Sequence, residues 1–148
     1  LIALLLVIAG YFLFKFLKKW RRNRSVTKKE PMMPERPCND VALEALMKMD
    51  PVDYFEKRKI KEFYFEMTDI VRQFLGANYH IDTMDKTSLE ITEELERVER
   101  DFDKVRTIDR YFCDCDLVKF AKMRPGLAEM KQKKTESENI VKECWKKV

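Results

Sequence analysis

IKEFYFEMTDIVRQFL, residues 60–75, decides the fold. Ile60, Phe63, Tyr64, Met67, Ile70, Val71, Phe74 and Leu75 recur at steps of three and four, which places them on one broad stripe of an α-helix. Such a stripe must be buried against other helices. It reads as core rather than as a partner groove, because a domain of this size needs it for itself.

Working outward, the flanking segments follow the same rhythm. Upstream, a first helix is expected from Asn39 or Asp40 as N-cap to about Met49, with Leu43, Leu46 and Met47 on one face. Asp50-Pro51 ends it and opens the next helix, which carries the stripe, with proline at a first-turn position. Downstream, Gly76-Ala77-Asn78 is expected to stop that helix in a left-handed turn. Thr87-Ser88-Leu89-Glu90 has the form of a capping box and starts a third helix, facing inward through Ile91, Leu95, Val98 and Phe102. Asp101 or Asp103 caps a fourth, with Val105, Ile108, Phe112, Cys115 and Val118 or Lys119 inward, until Arg124-Pro125-Gly126 breaks it. In the last segment 131–139 is wholly polar, although Leu127, Met130, Ile140, Val141, Cys144 and Trp145 could rest on the bundle. No stretch sustains two-residue alternation and only three glycines are present, so residues 39–148 are expected to form an all-α bundle of about five helices.

The N-terminal part is of another kind. Leu1 to Phe14 carries no charge and is followed by Lys15, Lys18, Lys19, Arg21, Arg22 and Arg24. A bilayer core needs about 20 apolar residues, so residues 1–20 are expected to be the C-terminal part of a longer transmembrane helix with its basic stop. Positive charge after the apolar run, rather than before it, argues against a signal peptide. It also holds everything beyond Lys15 in the cytoplasm, with the cluster against lipid headgroups. Residues 21–38 form a linker, in which Pro31, Pro34 and Pro37 favour a stiff extended strut.

Splitting the charge removes one function class. Residues 1–30 hold eight Lys and Arg against Glu30, a balance of +7, whereas residues 31–148 hold 22 against 25 Asp and Glu, a balance of −3. A nucleic-acid reader needs its basic excess on the folded face, and this domain lacks it. Catalysis finds no support either. A single histidine, His80, has no Ser or Cys nucleophile motif around it, and no glycine-rich phosphate loop, HExxH or calcium-loop pattern is present. No catalytic, cofactor-binding or metal residues and no small-molecule substrate are expected.

Cys113-Asp114-Cys115-Asp116 resembles a metal site only at first sight. On a helix, positions 113 and 115 point about 200° apart and cannot share one tetrahedral ion. Cys115 is expected inward as a small apolar residue, with Asp114 in water. Cys113 and Cys115 as a thiol-based redox sensor is the alternative function, but acidic neighbours should raise rather than lower their thiol pKa. Asp116 is expected to pair with Lys119 on one helix face, or with Arg72 or Arg110 across the bundle.

The segments KEFYFEMTDIVRQFLGANYHIDTMDKTSLEITEEL and DRYFCDCDLVKFAKMRP, behind a basic stop and linker, resemble the cytoplasmic end of bacterial aerotolerance BatD-like and DUF4381-type membrane proteins. Phe63, Tyr64, Arg72, Phe74, Leu75, the Thr87-x-x-Glu90 box, the run Asp116 to Lys122 and Pro125 carry the resemblance, which covers nearly all of residues 1–125. It implies a single-pass protein of the bacterial inner membrane with an extracytoplasmic, β-rich domain upstream of Leu1. It also implies a genomic association with MoxR-type AAA+ ATPases and von Willebrand A domain proteins, which makes them the expected partners, and no known catalytic residues. The expectation is therefore a non-enzymatic, membrane-anchored interaction module, with Arg72, Asp116, Lys119 and Phe120 as candidate partner-binding or structural residues.

Overall fold

A computed structural model describes residues 36–145. The expected membrane span, the basic cluster and most of the linker lie outside the described residues. Within them the chain is all-α, with six helices and no strand. None of these helices is long and apolar enough to cross a membrane.

The helices are α1 (Cys38–Lys48), α2 (Pro51–Glu56), α3 (Ile60–Tyr79), α4 (Ser88–Val98), α5 (Phe102–Phe120) and α6 (Leu127–Cys144). The central element is α3, which packs against α1, α2, α5 and α6, while α4 rests on α5. Its stripe is the core: Phe63, Tyr64, Met67, Val71, Phe74 and Leu75 are buried, with Ile60 and Ile70 packed at the margin. Each such side chain removed from water stabilises the fold by about 1.5–3 kcal/mol, which is why this stripe organises the bundle.

Six helices replace the expected five because the helix thought to run from Pro51 through the stripe is interrupted. Arg58 takes a left-handed φ of 56°, and Lys59 N–H donates to Tyr54 O at 2.8 Å, folding α2 back before α3 begins. Asp50 caps α2 as expected, accepting from Val52 N–H at 2.9 Å, with Pro51 at the first turn. The start of α1 differs. It begins at Cys38, and Pro37 O accepts from Asp40 N–H and Val41 N–H, so neither Asn39 nor Asp40 is the cap.

The end of α3 is also corrected. The helix continues through Gly76, Ala77 and Asn78, and His80 supplies the left-handed residue at φ 55°. Gly76 serves a different purpose, because a Cβ there would lie 2.8 Å from Thr83 Oγ1 and 3.2 Å from Ile81 O. The chain after α3 passes directly over it.

Thr87 and Glu90 form the expected capping box, each satisfying the other's backbone N–H. Asp101 caps α5, accepting from Asp103 N–H and Lys104 N–H. Ile91, Leu95, Val105, Ile108, Phe112, Cys115 and Val118 are inward as expected, whereas Val98 and Phe102 are exposed because α4 ends at Val98 and the chain turns there. The polar segment of α6 docks through its ends, with Met130, Ile140, Val141 and Cys144 buried. In its middle Ser137 is buried, its hydroxyl 2.9 Å from that of Tyr111.

Candidate functional site

Three of the four residues singled out from sequence converge at the C-terminal end of α5, where it meets α3. Lys119 sits on the inward face of α5 and is only 4% exposed. A buried ammonium is costly unless its surroundings replace water. Here Asp116 Oδ1 lies 3.1 Å from Lys119 Nζ, one turn back on the same helix. That oxygen is buried and outside hydrogen-bond geometry, so the pair is held by charge rather than by a directed bond. Lys119 Nζ also donates to Thr68 Oγ1 at 3.3 Å. Thr68 can accept because its own hydroxyl donates backward to Tyr64 O at 2.8 Å.

Two aromatic faces complete the shell. The Lys119 ammonium lies 5.2 Å from the ring centroid of Phe65 and 5.4 Å from that of Phe120. The two rings meet edge to face, 5.9 Å apart at 87°. Each cation–π contact contributes on the order of 0.5–2 kcal/mol, more as water is excluded. The lysine therefore fixes the positions of two rings that are themselves open to solvent, Phe120 at 68% and Phe65 at 36%.

The open surface extends from these rings. Leu117, one turn before Phe120, is 47% exposed. Lys122 closes the helix with φ 60°, and Met123 N–H then returns to Leu117 O at 3.3 Å, bringing the half-exposed Met123 back to the same turn. Lys61 Nζ stands 5.7 Å from the Phe65 ring centroid at the outer edge. The result is an apolar face spanning α3 and α5 with charges of both signs at its margin, since the exposed Glu62 and Asp69 also lie one turn from Phe65 on α3.

Arg72 is not part of this face. Its guanidinium lies over Phe112, 5.6 Å from the ring centroid, and donates to Lys86 O at 2.9 Å and Ser88 Oγ at 3.0 Å. Its buried Nε meets no acceptor among the described residues. Arg72 therefore ties the segment before α4 to α3, and Asp116 pairs with Lys119 rather than with Arg72 or the exposed Arg110.

The two thiols of the CDCD stretch face apart, as helix geometry requires: Cys113 is exposed and Cys115 buried. Burial pushes the Cys115 thiol up to about 12, against Lys133, Tyr111 and Lys119, which pull it down. Cys113 is also raised, by slight burial first and then by Asp109, Asp116 and Asp114. Both shifts disfavour the thiolate. Asp114 is half-exposed and paired rather than free in water, 2.8 Å from Lys133. Burial lowers the Lys133 ammonium, but Asp114 and Glu136 outweigh it and leave it raised.

Elsewhere, a charged cleft of about 510 Å³ opens beside α2 and the start of α3. Four of its groups pair with one another, Lys57 with Asp53 at 2.8 Å and Tyr54 with Glu66. Among the described residues no group of three or more His, Cys, Asp or Glu side chains could hold a metal ion. The aromatic partner Phe65 and the acceptor Thr68 were not singled out from sequence. The only signal for them is spacing: Thr68 lies one turn from Tyr64 and Val71 on the stripe, and Phe65 one turn before Thr68. Comparison with protein-family models, curated proteins and solved structures finds no match to this chain.

Proposed function

We propose that the chain is a non-enzymatic, membrane-anchored interaction module whose helical domain positions protein partners. The observation that supports this most directly is how the Asp116 to Lys122 run is used. Asp116 and Lys119 are spent inside the fold, while Leu117 and Phe120 are turned outward, Phe120 against the edge of Phe65, and both remain largely open to solvent. Aromatic side chains held rigid at a surface are the usual energetic centres of protein interfaces.

The resemblance to BatD-like proteins extends the proposal. Residues 1–20 would anchor the chain in the bacterial inner membrane, with the basic cluster on the cytoplasmic side and the domain in the cytoplasm. The partners would be a MoxR-type AAA+ ATPase or von Willebrand A domain proteins, coupled to an extracytoplasmic domain in oxygen or envelope-stress tolerance.

Affinity purification of the full chain from native membranes tests the proposal. Recovery of either partner class is expected, and it should be lost with Phe120→Ala in protein that still folds. Recovery of neither class, beside an enriched unrelated enzyme complex, overturns it. Orientation is read at Cys113, which is exposed where Cys144 is buried. An impermeant maleimide should label Cys113 only after cells are opened.

A further inference from the structure

We draw no further inference here: the strongest candidate, the apolar face of Phe65, Leu117, Phe120 and Met123 at the α3–α5 junction, is bordered by charges of both signs, and nothing in the structure shows what covers it.

Discussion

Gly76→Ala separates local helix propensity from tertiary packing, and the two predict opposite signs. Gly76 lies inside α3, where replacing glycine by alanine should stabilise a helix by about 1 kcal/mol. The added Cβ, however, would sit 2.8 Å from Thr83 Oγ1, closer than a Cβ approaches another atom in packed proteins, and 3.2 Å from Ile81 O, a tight contact. Thr83 is buried, and its hydroxyl donates to Arg72 O at 2.9 Å, so moving aside breaks a bond worth about 1 kcal/mol. Ile81 O belongs to the backbone, and shifting it draws on the segment that Arg72 clamps, at an overpacking cost of about 1–3 kcal/mol. The net expectation is destabilisation by about 1–3 kcal/mol. Urea unfolding followed by far-UV circular dichroism measures it, with Thr83→Ala and the double variant completing a cycle. In the Thr83→Ala background the closest obstacle is gone, so the Gly76→Ala penalty should fall by about 1 kcal/mol. If Gly76→Ala raises stability, or carries the same penalty in both backgrounds, the close approach of residues 81–83 does not govern this position.

Ser137→Ala should destabilise by about 1 kcal/mol, since it removes the donor 2.9 Å from the hydroxyl of the fully buried Tyr111, while a substitution at the exposed neighbour Thr135 should have little effect; chemical denaturation of the two variants decides. Alkaline pH should weaken the fold through Cys115. Its folded thiol is raised to about 12 from 9.0, so the unfolded chain gives up the proton first. The contribution is complete below 9.0 and is lost as pH rises toward about 12, at up to about 1.4 kcal/mol per pH unit. Cys144, raised mainly by burial, adds in the same direction. Cys115→Ala should flatten the fall of unfolding free energy just above pH 9.0, and an unchanged slope would contradict the burial of this thiol.

What the sequence revealed and what it hid follow from one distinction. Periodicity reports which side of a helix is apolar, so the α3 stripe and the inward positions of α5 were legible, as were caps whose donors and acceptors lie within three residues, such as Thr87 with Glu90. Breaks made by non-glycine residues were not. Arg58 and His80 adopt left-handed φ because the chain must turn at those points, and nothing in their side chains announces it. Gly76 misled for the complementary reason: glycine marks either a left-handed turn or a close approach, and only the path of residues 81–83 shows that it is the second. The inward ends of Val98 and Phe102 failed where the helix itself ended, since a face exists only while the helix continues.

The candidate site shows the same distinction in a more consequential form. Asp116 with Lys119 was legible as an i,i+3 pair, because both groups sit on one helix. That the pair is turned inward was not legible, because burial of Lys119 depends on Thr68 and Phe65, which come from α3, 51 and 54 positions earlier in the chain. A charged pair read as surface chemistry turns out to be internal support, and the apolar residues beside it, Leu117 and Phe120, take the outer position usually given to charges. Within this stretch the ordinary allocation of polar and apolar groups is reversed. Folding stability alone does not favour that reversal, since it places a buried ion where a hydrocarbon would serve and leaves rings in water. A surface selected for contact would require it, because the ammonium that is costly inside the fold holds the two exposed rings in one arrangement.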